Sequence, residues 1–125
     1  NTVKQKFFRK ELNFWEISTR DSLRYYAFLD NVIGKTMPIT FLVIFDNKAT
    51  VHNASIIKYR EPYGGEVRGK KWLNQFNAYT DTSKYKVGKD ISGISGATLS
   101  VKSITKGIHK LTYLIHEVID NNDKK

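Results

Sequence analysis

The sequence predicts an α+β domain: an antiparallel β-sheet packed against a long C-terminal helix and a short middle helix. Three observations carry that prediction. Ile39–Phe45 is almost unbroken apolar sequence, rich in β-branched and aromatic side chains, and Thr50–Lys58 follows it across Asp46-Asn47-Lys48. Two such runs joined by a short polar turn make an antiparallel hairpin. Apolar residues recur at Val101, Ile104, Ile108, Leu111, Ile115 and Val118, the three-and-four spacing of one helix face. Trp72, Leu73 and Phe76 fall at helical spacing inside Val67–Phe76, which gives the middle helix.

Taken in order, residues 1–20 mix Phe7, Phe8, Phe14 and Trp15 with Lys, Arg and Glu. They read as a lead-in segment with a strand near Phe14–Ile17. A basic, aromatic segment also suits a membrane surface, but aromatics covering a core are the commoner arrangement. Asp21-Ser22 makes a turn, and Leu23–Leu29 is a strand ended by Asp30-Asn31. Val32–Pro38, with Gly34 and Pro38, is a loop. Ile39–Phe45 is expected to be a central strand covered on both faces. Three adjacent strands with one covered face are enough for a stable sheet, where a lone hairpin is marginal. Asn77–Lys89 is a polar loop, residues 121–125 form a polar tail, and Gly107 inside the last helix marks close packing against the sheet. A length of 125 residues suits one domain, 1–125, with one core.

Lys and Arg number 21 against 12 Asp and Glu, a formal charge of +9. That balance favours anionic partners through the long-range field: nucleic acid, acidic lipid or a phosphate-bearing cofactor. The basic residues are scattered rather than blocked, so charge does not choose among the three. With no cysteine in the chain, disulfides and thiolate metal sites are excluded. His109 and His116 share a helix face but stand about 10 Å apart along its axis, too far to hold one metal ion. Neither a phosphate-loop nor a dinucleotide-binding glycine pattern is present. No apolar run approaches bilayer-spanning length.

The chemistry gathers in Asp90-Ile-Ser-Gly-Ile-Ser-Gly-Ala-Thr-Leu-Ser100, which runs directly into the long helix. Ser95-Gly96-Ala97-Thr98 is a small-residue turn that delivers a hydroxyl to a helix N-terminus. Free N–H groups and the positive end of the helix dipole favour an anion there, and Gly96 and Ala97 leave room for a large group to approach Thr98. The plain alternative is that Ser95 or Thr98 caps the helix.

Ser95-Gly96-Ala97-Thr98 followed by Leu99-Ser100 resembles the SGAT(L/I)(T/S) motif of FMN-binding domains, such as the flavin-carrying subunits of the sodium-pumping quinone reductase and the Rnf complex. Upstream, Tyr59-Arg-Glu-Pro-Tyr-Gly-Gly-Glu66 and Trp72-Leu-Asn-Gln-Phe76 are similar to the family's E-x-x-G segment and W/F-x-x-Q-F helix. The likeness spans roughly residues 25–119.

The resemblance implies FMN attached through a phosphoester to Thr98, installed by a flavin transferase. It also implies a place on the outer face of a bacterial membrane, with redox proteins or a membrane electron-transfer complex as partners. Any signal or anchor is expected outside this chain. Ser95 and Ser100 would add hydroxyl hydrogen bonds and Lys102 would offset phosphate charge. Tyr63, Leu99 and Phe76 would flank the flavin ring, while Gly64, Gly65 and Glu66 shape the wall, with Glu61 or Glu66 orienting backbone or flavin groups. Such a domain is an electron carrier more than a stand-alone enzyme.

One position departs from the pattern. The acidic residue that the family places six before the modified threonine is Ser92 here, with Asp90 two residues earlier. Flavin binding that is reversible or lost is therefore the alternative. A second alternative is a basic nucleic-acid-binding module using aromatic strand residues as stacking platforms. It lacks the Gly-aromatic pattern of such modules, and no nucleic acid is expected as a partner.

Overall fold

The computed structural model describes residues 2–7 and 10–123, with side-chain surroundings for residues 13–121. Five antiparallel strands form one sheet in chain order: β1 (Thr2–Phe7), β2 (Lys10–Ser18), β3 (Arg24–Ile33), β4 (Pro38–Asp46) and β5 (Val51–Tyr59). Short connections of this kind need no crossover, so each strand pairs with its sequence neighbour. The lead-in segment is therefore two strands of the sheet. The strand expected at Phe14–Ile17 is the second half of β2, and buried Phe14 lies opposite Phe28. Phe8 lies outside the described residues.

The β3–β4 loop is shorter than the sequence suggests. Strand pairing continues to Ile33↔Pro38, so only residues 34–37 turn the chain, with Gly34 N–H bonded to Met37 O. The β4–β5 hairpin is closed by Asp46, whose Oδ1 accepts from the N–H groups of Lys48 and Thr50 at 2.9 and 3.0 Å. Two register shifts in this pair, at Thr40/Phe41 and Ile44/Phe45, increase its local twist.

The long helix, α2 (Thr98–Asp123), lies across the face formed by β3 and β4. All six residues of its sequence stripe, Val101 through Val118, are buried, each contributing roughly 1.5–3 kcal/mol of transfer free energy. They meet Phe28, Ile39, Phe41, Val43 and Phe45 in one core. Gly107 is where helix and sheet come closest: a Cβ there would sit 2.8 Å from both Phe41 Cζ and Val32 Cγ1. A charged contact also crosses this interface, Lys110 Nζ to the buried Asp30 Oδ2 at 2.9 Å. The polar tail expected at 121–125 begins inside α2, which continues to Asp123; residues 124–125 lie outside the described part.

Two expectations need correction. β4 is covered on one face only: Ile39, Phe41, Val43 and Phe45 are buried, while Thr40, Leu42 and Ile44 between them stay partly exposed. Among the described residues no layer covers that second face. The middle helix is broken into a 3-10 turn Gly65–Arg68, a single α-turn α1 (Lys70–Leu73) and a second 3-10 turn Asn74–Phe76. Gly69, extended at φ −76°, ψ 142°, interrupts what apolar spacing alone reads as continuous. Val67, Trp72, Leu73 and Phe76 are nonetheless buried, so the spacing identified their packing face.

Candidate functional site

Two loops and the start of α2 meet at one end of the sheet. A cavity of about 470 Å³ opens there, lined by Lys35 and Thr36 of the β3–β4 loop, Tyr59, Glu61, Pro62 and Tyr63 after β5, and Gly96 through Ser100. Its size falls in the range of small-molecule sites.

The helix start is left open. The first helical hydrogen bond runs from Val101 N–H to Ala97 O at 3.0 Å, so Ala97 occupies the cap position and has no side-chain oxygen to offer. Among the described residues the N–H groups of Thr98, Leu99 and Ser100 have no partner, nor do the hydroxyls of Ser95 and Thr98. The capping alternative is thereby removed. Three free donors and an exposed threonine hydroxyl instead face an open cavity at the positive end of a helix about 39 Å long.

Gly96 makes this possible at φ +81°, a left-handed conformation that lets the turn from Ile94 to Ala97 close. Gly64, also left-handed at φ +80°, presses against the opposite side of Ala97, where a Cβ would meet Ala97 Cβ at 2.3 Å. The two glycine-bearing loops are thus in direct contact behind Thr98.

Main-chain hydrogen bonds hold the remaining walls. Glu61 Oε1 accepts from Thr36 N–H and Met37 N–H, each at 2.7 Å. These bonds, that from Thr36 foremost, hold its carboxyl below the ordinary value of 4.5. Arg60 Nη1 donates to Pro38 O at 2.7 Å, tying the same loop to the same segment. Tyr59 hydroxyl donates to Tyr63 O, which leaves its oxygen to accept from Ser100 Oγ at 3.2 Å.

On the far flank of the signature loop, Trp72 Nε1 donates to Ser92 O at 2.8 Å, and Ser92 N–H donates to Gln75 Oε1 at 2.7 Å. Gln75 Nε2 in turn donates to Trp72 O at 2.8 Å. The W-x-x-Q spacing therefore grips both main-chain groups of one residue, six before Thr98.

The structure gathers Gly96, Ala97, Thr98, Leu99, Ser100 and Tyr63 around the one cavity. Ser100 is buried and engaged with Tyr59, so its hydroxyl serves the wall. Tyr63, 78% exposed, stands at the rim. Gly64 supports Ala97 from behind, and Gly65 opens the following 3-10 turn. Lys102 faces a neighbouring cavity that shares Leu99 as its wall. Ser95 and Glu66 line a hollow beside Trp72. Phe76 is fully buried against Trp72 and Tyr79 and does not line the cavity. Lys35, Thr36 and Tyr59 join the site, and sequence reasoning missed all three, while Pro62 belongs to the 60–66 segment that it reads as a wall. Tyr59 and Pro62 lie inside a recognised motif, but nothing in the spacing of residues 34–37 signals a place beside Thr98.

Free N–H groups beside an exposed hydroxyl, one nearby lysine and a wall of Tyr63, Pro62 and Leu99 fit a ligand with a phosphate at one end and a flat ring at the other. A comparison with curated proteins returns no match. A family model for the FMN-binding domain matches residues 34–112, from the β3–β4 loop to well inside α2 and more than half the chain. On that match the chain belongs to the FMN-binding domain family, and FMN is its cofactor.

Proposed function

We propose that this domain is an extracytoplasmic electron carrier whose FMN is joined by a phosphoester to Thr98 Oγ. The observation that carries the reading is the state of that hydroxyl: exposed, without a hydrogen-bonding partner, on the first residue of α2 and at the mouth of the cavity. In the linked form the phosphoryl group replaces the hydroxyl hydrogen of Thr98. A transferase supplies the activated flavin nucleotide and carries away the leaving group. The N–H groups of Thr98, Leu99 and Ser100 would receive the negative phosphate, and Lys35 would add positive charge at the cavity edge.

Bound FMN supplies the capacity to take up and pass on one or two electrons. The chain's part is to fix and shelter the ring. Tyr63, Pro62 and Leu99 offer it apolar surface, and the Glu61 and Arg60 bonds keep the 34–37 loop in place as a wall. Glu61, committed to two main-chain donors and held acidic, is a poor proton acceptor. That supports a carrier more than a catalyst with its own substrate. Among the described residues no helix is long and apolar enough to cross a membrane. The placement outside the cytoplasmic membrane, the transferase and the redox partners rest on the family likeness.

Ser92 favours a second reading, in which flavin is held reversibly. Its side chain is exposed, and only its main chain takes part in the loop contacts. A nucleic-acid platform is less favoured, because Tyr26, Phe28, Phe41 and Phe45 are buried in the core.

Co-production with a flavin transferase separates the first two readings. Under the covalent reading the denatured, desalted chain keeps its yellow colour and gains the mass of one FMN less one water. Thr98→Ala loses both. Colour that leaves with the denaturant, from a protein that bound FMN when folded, establishes the reversible reading instead.

A further inference from the structure

A second concavity, also of about 470 Å³, opens on the other side of Leu99, between α2 and the segment 85–87. Lys102 and Lys106 reach it from one face of the helix and Lys86 from the facing segment, while Tyr85, Val87 and Leu99 give it apolar surface. Residues three and four apart on a helix stand side by side, so Leu99, Lys102 and Lys106 form one wall. No aspartate or glutamate lines this space. Among the described residues the ion pairs are Arg24–Glu16, Lys110–Asp30 and His116–Asp81, and none involves these three lysines. The cavity at Thr98 contains both Lys35 and Glu61, and the hollow beside Trp72 both Lys71 and Glu66. Here three lysines share one lining that holds no carboxylate, the Asp90 carboxylate beside them being engaged by the Lys86 N–H at 3.3 Å, on a chain that already carries +9.

The floor of this space is preformed. Tyr85 stacks on His109 with ring centroids 3.9 Å apart and planes within 15°. Its hydroxyl donates to Thr80 O at 2.7 Å. Burial pushes the Tyr85 phenol up to about 12, so that ring carries no charge at neutral pH.

We infer that this cavity is a second ligand site, for an organic anion whose carboxylate or phosphate lies among Lys86, Lys102 and Lys106 and whose apolar body lies on Tyr85, Val87 and Leu99. Converging lysines alone suit any anion. The aromatic floor and the volume select one with a flat apolar body. Leu99 is 51% exposed and common to both cavities, so a ligand here sits next to the FMN site. The inference stands whether FMN is held covalently or reversibly.

Titration of the FMN-loaded, 15N-labelled protein with benzoate, phenyl phosphate and benzamide, followed by amide signals, tests it. Benzoate or phenyl phosphate is expected to shift the signals of residues 85–87 and 99–109. Benzamide, the same ring without charge, should bind at least about tenfold more weakly. The double variant Lys102→Gln, Lys106→Gln should weaken the anions by about tenfold, as should raising salt from about 0.05 to about 0.3 M. Tighter binding of phenyl phosphate would assign a phosphate ligand, and tighter binding of benzoate a carboxylate. Equal binding of benzamide and benzoate overturns the inference. So do anion shifts spread over distant lysines such as Lys48 and Lys70, or confined to residues 96–100. The comparison of charged and neutral probes needs no variant, so it decides the matter even if the double substitution disturbs the fold.

Discussion

Alanine at Gly64 separates two ways in which the loop before α2 can be held: by its own turn, or by contact with the loop opposite. At φ +80° an L-residue costs roughly 1–2 kcal/mol. In addition the new Cβ would stand 2.3 Å from Ala97 Cβ and 2.9 Å from Tyr59 Oη. Carbon atoms pack at about 3.5–4.0 Å, so more than about 1 Å is missing. The obstacle is a methyl group on a buried residue, which has no rotamer to move into, and the main chain of one loop must shift. Overpacking of that kind costs about 1–3 kcal/mol, which brings the total to about 2–5 kcal/mol. Gly96 is the control: it is left-handed at φ +81°, but nothing lies within 4 Å of its added Cβ. Gly96→Ala should therefore cost only the dihedral share, about 1–2 kcal/mol. Urea denaturation of both flavin-free variants gives the two values, with equal slopes confirming a common denatured state. Because the displaced loop carries Thr98 and its neighbouring N–H groups, Gly64→Ala should also weaken reversible FMN binding, by about tenfold for each 1.4 kcal/mol transmitted. Equal destabilisation by the two alanines would refute the claim that contact, not turn geometry alone, holds the loop.

Gly107→Ala should destabilise despite improving helix propensity by about 1 kcal/mol. The methyl would lie 2.8 Å from Phe41 Cζ and Val32 Cγ1 in a filled core, at about 1–3 kcal/mol. A rise in urea midpoint would contradict that packing. Glu61 is held below its ordinary value by the N–H groups of Thr36 and Met37, so its stabilisation is present above the ordinary value and is lost as pH falls through the lowered one. The stability advantage of the parent chain over Glu61→Gln should therefore be present at neutral pH and shrink under acid, and a difference independent of pH would discount those bonds. Gln75→Ala removes the acceptor of the Ser92 N–H. Water can replace it at that exposed position, so the loss should be about 0.5–1.5 kcal/mol, with faster hydrogen exchange at Ser92. Unchanged exchange there would mean that Gln75 does not hold the loop.

The elements legible in the sequence are those marked by a strong local signal. The α2 stripe from Val101 to Val118 keeps one helical period from end to end, the β4–β5 hairpin is marked by β-branched and aromatic runs on either side of a short polar turn, and each lies where expected. β1 and β2 are harder to read because their apolar residues stand among lysines and glutamates, and a strand with one open face need not exclude charge. The same openness explains β4. An unbroken apolar run suggests two covered faces, yet here half of it faces outward on the side opposite α2. The middle helix misleads because Trp72, Leu73 and Phe76 keep helical spacing although Gly69 extends the chain before them. Residue spacing reports which side chains share a face; it does not report whether the hydrogen bonds between them are continuous.

The site divides along a similar line. Thr98 and its small neighbours are legible because a hydroxyl, two small residues and a helix start are local facts. Lys35, Thr36 and the engagement of Glu61 are not, since they depend on a loop some sixty residues earlier being drawn across by main-chain bonds. Ser92 illustrates a contact made by the main chain alone. Trp72 and Gln75 hold its carbonyl and N–H and leave its side chain in solvent. The shape of the signature loop is therefore indifferent to which side chain stands at that position. A carboxylate there would change the charge that an approaching enzyme meets six residues before Thr98, while the turn at Gly96 and the free N–H groups at the helix start stayed as they are. Under the covalent reading proposed above, holding FMN and being loaded with it would thus depend on different atoms of the same loop. Ser92→Asp should accordingly alter the extent of covalent loading without altering the affinity for free FMN; a matched change in both would mean that the side chain at this position shapes the site after all.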